Sequence, residues 1–470
     1  MIKRIISKTI DILYYAIIPF LIIGITLNYT TFQIVLVALL VMVILNNRHS
    51  VGVFFIMYGG SLAGITRTIY PNIPIYGVVL GAIGFLLIWD LLLDFFKTHW
   101  TSLLWVGLLL VIFGIFYLMG PRDEFAQDKY SSMCIHATLM LFGYYVINKS
   151  TRINAEGLTR LMLLGAICMY AFVILFYNFS PGDFFDYDWF RDQLTTWQYD
   201  NNNEDTIVNY QHIGMMVLYG IAIYLSQTHL PPVRTVFYLV CASQLVLMSG
   251  CRQAMLGLFV VVVLRFVVLR LSNNARKEKL SVFWKNKINL DWSKRLSILR
   301  NSVFGKFVSL VVGLVAAYFV FVFIISNLSS DIVDKTLESG DLGRQFLFYD
   351  AIAIFKAYPL LGSGIGGFHF ITGEVWPHNF FLELLCETGW VGTLIFLVIV
   401  VFNMIIKHVG LFHVTNSNMF YFLILSALFV RIMVSSDLPE SIELFSAVFA
   451  ISAVKKTRKI TTYDTIEEKS

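Results

Sequence analysis

Long runs of apolar residues alternate with short polar segments over most of the chain. A helix needs about 20 apolar residues to cross a bilayer, because lipid offers no partner for an unpaired backbone group. The pattern therefore predicts an all-α, polytopic membrane protein with about 12–14 transmembrane helices. The predicted spans lie at residues 10–27, 31–46, 51–69, 74–95, 101–119, 131–148, 158–177, 207–227, 233–249, 254–271, 303–326, 385–406, 417–435 and 439–454.

The composition also indicates a membrane protein. Apolar residues make up 57% of the chain, charged residues only 14%, and the mean hydropathy is +0.73. A soluble chain carries about 25% charged residues. The net charge of +5 comes from basic residues spread over many loops, so nucleic acid is not an expected partner. The five cysteines show no CxxC spacing, and we expect neither a disulfide framework nor a metal site nor a cofactor.

Basic residues fall on alternate loops, and this pattern predicts the orientation, since basic loops stay in the cytoplasm. Residues 272–301 carry eight Lys and Arg against two acids, whereas residues 178–206 carry seven acids against one Arg. With the amino terminus inside, the alternation holds throughout and predicts both termini in the cytoplasm. We interpret residues 1–470 as a single transmembrane domain with a first long extracytoplasmic loop at 178–206, a basic cytoplasmic loop at 272–301 and a large extracytoplasmic loop at 327–384. The basic amino terminus and the run 10–27 predict an uncleaved first span.

The segment from Leu342 to Gly392 is the most polar and glycine-rich part of the second half, although apolar runs flank it. Residues 343–357 predict a short helix at the membrane interface. Residues 362–367 fit the G-x-G-x-x-G pattern, but a dinucleotide site needs a preceding buried strand and a following helix. Two interpretations stay open here: a flexible loop, or a tight turn whose N–H groups at Gly364 and Gly366 approach a phosphate.

Three further polar features carry candidate chemistry. Arg252 lies in the turn 249–253, at the predicted outer mouth of two spans, where it either faces a polar cavity or extends toward the headgroups. His378 starts an apolar helix that carries Glu383, and it is either structural or a proton acceptor, given an unperturbed pKa of about 6.5. Residues 186–188 have the D-x-D spacing of a divalent-cation site, but a solvated acidic loop is the simpler interpretation.

Taken together, three segments resemble the O-antigen ligase and O-antigen polymerase superfamily. The turn 249–253 (S-G-C-R-Q) is similar to the family's S-x-S-R turn, with Cys251 where the family often has Ser. Residues 343–364, which include G-R, A and P-L-L-G-S-G, resemble its R…A…P-L-L-G-x-G loop. Residues 377–392, from P-H-N to T-G-W-V-G, resemble its H-N…L…E-x-G-x-x-G segment.

The resemblance implies an inverting, metal-independent glycosyltransferase whose donor is a glycan on undecaprenyl diphosphate. It assigns diphosphate binding to Arg252 and Arg344, and it assigns action on the acceptor hydroxyl to His378 as the catalytic residue. These residue types suit the chemistry, because guanidinium groups bind phosphate oxygens in pairs and offset charge on a leaving diphosphate. Asn379 and Glu383 are candidate supporting residues.

The preferred hypothesis is a polysaccharide polymerase of the O-antigen or capsule type, in the bacterial inner membrane. Its expected partners are the undecaprenyl-diphosphate-linked donor, a glycan acceptor, membrane lipid and a chain-length regulator. A ligase that attaches finished glycan to lipid A-core or to protein has the same motifs, so this alternative stays open. A flippase or secondary transporter predicts broken helices, charges near the midplane and an internal repeat. The sequence has no fixed-period repeat, and its charges lie mostly at span ends.

Overall fold

The computed structural model is mostly helical in the part of the chain that it describes. It describes residues 2–25, 30–69, 75–98, 100–149, 153–176, 210–227, 230–285, 346–407, 416–434 and 438–452. The helices are α1 (Ile2–Ile25), α2 (Thr30–Leu45), α3 (Arg48–Ile69), α4 (Ile75–Leu87), α5 (Trp89–Thr98), α6 (Trp100–Met119), α7 (Glu124–Lys149), α8 (Ala155–Phe176), α9 (Tyr210–Leu225), α10 (Pro232–Ser249), α11 (Arg252–Lys285), α12 (346–357), α13 (Gly367–Thr372), α14 (Phe380–Lys407), α15 (Asn416–Val434) and α16 (Leu438–Ser452).

These helices confirm an all-α polytopic membrane protein. By length and composition alone, five helices among the described residues, α14 included, are long and apolar enough to cross a membrane, or six if one bent pair counts as a span, and four shorter helices are also apolar. Helices α6 and α10 agree within one residue with the predicted spans 101–119 and 233–249. The predicted span 303–326 and the predicted loop 178–206 lie outside the described residues.

Glycines allow several of these helices to pack closely, as is common where helices associate in lipid. A Cβ on Gly84 of α4 would lie 2.8 Å from the carbonyl oxygen of Gly52 on α3. A Cβ on Gly165 of α8 would lie 2.8 Å from the Phe54 ring of α3. Side chains at these positions would separate the helices that form the apolar core.

The predicted span 74–95 is two helices rather than one. Helix α5 is bent by 69° from α4. Asp90 is only 2% exposed and lies 3.4 Å from the Arg48 guanidinium and 3.2 Å from His49. The bend carries Asp90 into the interior, where a carboxylate requires paired partners.

Helix α11 runs into the segment predicted as the basic cytoplasmic loop 272–301. It continues to Lys285 and has 34 residues. Such a helix is about 51 Å long, well beyond the roughly 30 Å of a hydrocarbon core. The first part of that segment, residues 272–285, is therefore a helical extension of α11.

Candidate active site

Helix α14 folds back on itself at Gly389, which has φ 61° and ψ −166°. Phe380 and Phe396 would be about 24 Å apart along a straight helix, yet their ring centroids are 5.6 Å apart. Both rings also pack against Phe445 of α16. The short arm of α14 (380–388) and its long arm (390–407) therefore lie side by side. The predicted large loop 327–384 accordingly ends in a helix that packs into the bundle.

The end of the short arm is capped by the segment 359–366, which we call the Gly loop. A helix end leaves backbone carbonyls without partners, and lipid cannot supply them. The Ser363 amide donates to the carbonyl of Cys386 at 2.8 Å, and the Gly364 amide donates to the carbonyl of Glu387 at 2.9 Å. These bonds satisfy two of the exposed carbonyls at the break.

The same loop caps the start of the long arm. The amide of Trp390 donates to the carbonyl of Pro359 at 2.9 Å, and the amide of Val391 donates to the carbonyl of Leu360 at 3.0 Å. The P-L-L-G-S-G segment and the E-T-G-W-V-G segment thus form one hydrogen-bonded unit. Together the two segments satisfy the backbone groups that a broken helix would otherwise leave unpaired inside a membrane protein.

Glycine is required in this unit because the backbones touch. Gly362 has φ 70°, and a Cβ on it would lie 2.3 Å from the carbonyl carbon of Glu387. Gly364 has φ 83°, and a Cβ on it would lie 2.3 Å from Cα of Gly120, just after α6. The amide of Ile365 also donates to a carbonyl of α6 at 3.2 Å. The Gly loop is therefore a tight, packed turn rather than a flexible one.

The prediction that Gly364 and Gly366 offer their N–H groups to a phosphate does not fit this arrangement. The Gly364 amide is used by the carbonyl of Glu387, and the Gly366 amide donates to Glu387 Oε1 at 3.1 Å. An N–H group already donated within the protein has no second hydrogen to offer. Both glycines are therefore reassigned to holding Glu387.

A buried charge cluster lies beneath the Gly loop. Lys129 Nζ of α7 lies 2.5 Å from Glu383 Oε1 and 2.8 Å from Glu387 Oε1. The Lys129 side chain is 5% exposed and both glutamates are fully buried. Glu383, predicted to be a supporting residue, thus ties the short arm to α7. Lys129 was not predicted from the sequence, although two glutamates four residues apart on one helix face indicate a basic partner.

Asn379 begins the short arm as its N-cap. Its Oδ1 accepts from the amides of Phe381 at 3.0 Å and Leu382 at 3.2 Å, which otherwise lack helical partners. The residue before it, His378, has φ 52°, a left-handed conformation that is uncommon for a residue with a side chain. Local strain of this kind persists only where surrounding structure fixes it.

Trp376 fixes the orientation of the His378 ring. The indole Nε1–H of Trp376 donates to Nδ1 of His378 at 2.9 Å. The two rings meet edge to face, with centroids 5.6 Å apart and planes at 73°. Both side chains are partly exposed, whereas Pro377 between them is buried.

The fold-back sets the depth of His378 in the bundle. Phe380 packs beside Phe396. Phe396 lies six positions after Trp390 on the long arm, which places Phe396 about 9 Å from the end of the bundle where the Gly loop lies. His378 precedes Phe380 by two residues. It therefore lies in this half of the bundle, in the irregular segment that leads into the short arm.

Arg252 is held by a defined turn between α10 and α11. Gly250 ends α10 in the left-handed conformation, and its amide donates to the carbonyl of Leu247. The Cys251 amide donates to Ser249 Oγ at 3.2 Å, and the Cys251 side chain is 1% exposed. Cys251 is thus a packed small residue, and Arg252 follows it as the first residue of α11.

Arg252 lies at the same end of the bundle as the Gly loop. Helix α7 begins beside that loop, and α8 begins at the opposite end, only six residues after α7 ends. Thr159 in the first turns of α8 donates to the carbonyl of Gly220, late in α9, at 2.7 Å. Helix α9 therefore begins at the Gly-loop end, where a Cβ on Gly214 would lie 2.6 Å from Cys251 Cβ. Arg252 and His378 consequently share one half of the bundle.

Other predicted site residues lie outside the described part of the chain. They include Arg344 and the acidic residues 186–188. Within the described ranges, no group of three or more His, Cys, Asp or Glu residues is arranged to hold a metal ion.

A second buried ion pair lies deeper in the bundle. The Arg431 guanidinium of α15 lies 2.7 Å from Glu443 Oε2 of α16, and the Tyr219 hydroxyl of α9 donates to the same oxygen at 3.3 Å. The nearby hydroxyls of Tyr58 and Tyr144 are buried, and neither makes a hydrogen bond within the described residues. This cluster ties three helices together through charge rather than through apolar packing alone.

The fold and these clusters define a polytopic membrane protein whose glycine-capped helical hairpin carries a histidine into the bundle. Residues 237–397 match the family model described as O-antigen ligase. The match includes the turn 249–253 and the whole of 343–392, and it supports the resemblance of this region to the O-antigen ligase and polymerase superfamily. The family comprises glycosyl-transfer enzymes that act on lipid-linked glycans. No curated protein and no solved structure matches the chain.

Proposed function

We propose that this protein is a polysaccharide polymerase that transfers a growing glycan from undecaprenyl diphosphate to the sugar of another lipid-linked repeat unit. The reaction takes place at the outer face of the bacterial inner membrane, with inversion at the anomeric carbon. One observation carries the proposal: Arg252 and His378, 126 positions apart in the sequence, lie in the same half of the bundle, within the region that matches the family.

The chemistry assigns distinct roles to these groups. Arg252 and Arg344 hold the diphosphate, because a guanidinium group binds phosphate oxygens through two parallel hydrogen bonds and stabilises the charge that builds on the leaving group. His378 contacts the reacting oxygen atoms. Its place in the half of the bundle that holds the Gly loop suits a substrate whose lipid tail lies in the bilayer and whose diphosphate lies near the headgroups.

The proposal is tested with purified protein and one synthetic undecaprenyl-diphosphate-linked repeat unit. A polymerase yields a ladder of products on a gel. Arg252→Ala, Arg344→Ala and His378→Ala should each remove the ladder while the protein still accumulates in the membrane. Arg234→Ala is the matched control, because the Arg234 side chain is 64% exposed and makes only a 3.6 Å pair with Glu156. Wild-type chain length in all three site variants would refute the assignment.

A ligase of the same superfamily is the alternative, because the family match is shared by both activities. A deletion strain distinguishes them. Accumulation of single lipid-linked repeats indicates a polymerase, whereas accumulation of long lipid-linked chains indicates a ligase. The orientation is tested separately by reporter fusions, which should place both termini in the cytoplasm.

A transporter is a candidate from a different functional class, and two observations favour it. The broken helices at Ile88 and Gly389 and the buried pair of Arg431 and Glu443 are features that transporters use at their binding sites. The two breaks differ in form, however, since one bends by 69° and the other folds back on itself. Substrate transport that survives replacement of both Arg252 and His378 by Ala would favour this candidate.

A further inference from the structure

A polar cavity of about 180 Å³ lies between the first turns of α3 and α8, at the end of the bundle opposite the Gly loop. One water takes up about 30 Å³ in the liquid, so the cavity has room for a group of several heavy atoms. Its described lining includes the side chains of Ser50, Asn154 and Arg160, and none of the described lining residues carries a carboxylate. The cavity therefore suits an anion better than a cation.

The two helices that begin at the cavity are both capped by asparagine. Asn47 Oδ1 accepts from the amide of Ser50 at 2.8 Å, and Asn154 Oδ1 accepts from the amide of Glu156 at 3.0 Å. The first turn of a helix has further N–H groups that the helix itself cannot satisfy, and its dipole favours negative charge. Gly157, in the first turn of α8, lines the cavity. Both helix starts therefore make the cavity electropositive.

The hydroxyl of Ser50 has no hydrogen-bond partner among the described residues, although Ser50 is only 1% exposed. Ser50 lies one turn before Phe54 on the same face of α3, and the Phe54 ring lies 2.8 Å from where a Cβ on Gly165 of α8 would be. The Ser50 side chain is therefore directed at α8, on which Gly157 lies about two turns before Gly165. A buried hydroxyl without a partner costs free energy, so this group is placed for a ligand that accepts a hydrogen bond.

Arg160 supplies positive charge on the open side of the cavity. Its side chain is half-exposed and lies 3.3 Å from Glu156 Oε1. The same oxygen lies 3.6 Å from the Arg234 guanidinium and accepts from the Tyr238 hydroxyl at 3.2 Å. Arg160 thus shares this carboxylate with two other groups. A guanidinium group has five N–H donors in a planar fork that matches phosphate oxygens, so Arg160 can bind an anion and Glu156 together.

An exposed apolar face of α2 ends at the cavity. Val37, Val41, Ile44 and Leu45 recur at helical spacing and are all exposed, and Leu45 also lines the cavity. In a bilayer, an exposed apolar face of this kind lies against lipid tails. An anionic group that is attached to such tails can therefore reach the cavity from the membrane.

We propose that this cavity binds a phosphate group, supplied by the headgroup of a membrane phospholipid whose tails lie along α2. The Ser50 hydroxyl donates to one phosphate oxygen, the Arg160 guanidinium binds others, and the two helix starts favour the negative charge. The site lies at the end of the bundle opposite the Gly loop. It is therefore separate from the proposed active site, and it holds α3 and α8 at one depth in the bilayer.

The test measures binding to the purified full-length protein in a neutral detergent, by native mass spectrometry and by the thermal midpoint. Dioleoyl phosphatidylglycerol is the probe, and dioleoylglycerol, which has the same tails but no phosphate, is its control. We expect one tightly held phosphatidylglycerol per chain, a raised thermal midpoint, and neither effect with dioleoylglycerol. Inorganic phosphate tests the other source. A rise with inorganic phosphate as large as that with phosphatidylglycerol would support the phosphate site but overturn the lipid as its source.

Three variants test the residues. Ser50→Ala removes only the hydroxyl, and Arg160→Ala removes the charge. Gly157→Ala adds a methyl group 3.1 Å from Asn46 Oδ1, at the wall of the cavity. We expect each variant to weaken phosphatidylglycerol binding about tenfold. Ser50→Ala should keep at least the wild-type thermal midpoint without lipid, because it removes an unpaired buried group.

Arg234→Ala is the matched control, since Arg234 is an exposed arginine that pairs with the same carboxylate as Arg160 but is not among the residues that line the cavity. We expect it to bind phosphatidylglycerol as the wild type does. Three results would each overturn the proposal. They are wild-type binding in all three site variants, an equal loss in Arg234→Ala and Arg160→Ala, and no effect of either phosphatidylglycerol or inorganic phosphate on the wild-type protein.

Discussion

The backbone of Gly389 packs directly against the backbone of Gly362. A Cβ on Gly389 would lie 2.6 Å from the amide nitrogen of Gly362 and 2.5 Å from the carbonyl carbon of Leu360. The two glycines come from different segments of the chain, and they meet where α14 turns back. Their contact holds the helical hairpin that carries His378.

Replacing Gly389 by Ala should therefore destabilise the hairpin. Its φ of 61° with ψ of −166° is essentially restricted to glycine, and the added methyl group would overlap backbone that cannot move aside. We expect a loss of about 4 kcal/mol in the free energy of unfolding, measured as a lowered thermal midpoint in detergent. Gly373→Ala is the matched control. Gly373 has φ 76° but has nothing within 4 Å of an added Cβ, so its loss should be about 1–2 kcal/mol.

Removing Lys129 should leave two buried carboxylates without their counter-charge. We expect Lys129→Met to cost about 3–5 kcal/mol, as for other broken buried ion pairs. The triple variant Lys129→Met, Glu383→Gln, Glu387→Gln should recover most of this stability, because neutral amides tolerate burial better than charges. Lys97→Met, at an exposed lysine, should change stability by less than about 0.5 kcal/mol. A thermal midpoint for Lys129→Met as high as that of the Lys97 variant would contradict the role of Lys129.

Removing one member of the Arg431–Glu443 pair should likewise cost more stability than replacing both members. Arg431→Met leaves Glu443 buried and unpaired by its main partner, and we expect a loss of about 3–5 kcal/mol. The double variant Arg431→Met, Glu443→Leu should be more stable than the single variant, since a well-packed apolar pair replaces a buried ion pair without a large penalty. Thermal denaturation of both variants in one detergent checks this order. A double variant less stable than the single variant would indicate that Glu443 has a second role, such as accepting the hydrogen bond from Tyr219, that the pair does not explain.

Asn379 offers a test of how the short arm supports His378. We expect Asn379→Ala to cost about 1 kcal/mol of stability through loss of the N-cap. Asn379→Asp should be close to wild type, because a carboxylate accepts the same two amide hydrogens and also favours a helix N-terminus. The rate of glycan transfer should follow the same order, falling in the Ala variant only. Equal losses in both variants would mean that the amide nitrogen, rather than the capping oxygen, matters.

Much of the helical framework could be predicted from the sequence, because lipid imposes one requirement on every span. Residues that cross a bilayer must be apolar and must pair their own backbone groups. The predicted ends of α6 and α10 fall within one residue of the observed ends for this reason. The predicted helix 343–357 is likewise helical over its described part, residues 346–357.

The breaks and buried charges could not be predicted, because they depend on contacts between distant parts of the chain. Hydropathy reports only composition, so it does not indicate the fold-back at Gly389, which depends on a backbone contact with Gly362. Lys129 lies more than 250 positions before its two glutamate partners, so the local sequence does not indicate this pairing. The burial of Asp90 likewise follows from the bend between α4 and α5.

For the glycine-rich run, the sequence left two interpretations open, a flexible loop or a tight turn whose amides approach a phosphate. The run is a tight turn, and the amides of Gly364 and Gly366 donate to Glu387 instead. The hydrogen bond from Trp376 to His378 was not predicted, because it depends on the conformations of the two side chains and not on their spacing in the sequence. Arg344 lies outside the described residues, so its role stays a prediction.

The fold-back of α14 also bears on how the chain is threaded into the membrane during synthesis. The backbone at Leu360 contacts the backbone at Gly389. The stretch between these two residues therefore begins and ends at the same place, and it adds no crossing of the membrane. Inserting or deleting that stretch would leave the polarity of α15 and α16 unchanged. Changes to the hairpin, whether engineered or evolved, can therefore alter the activity of the protein without inverting the orientation of the helices that follow.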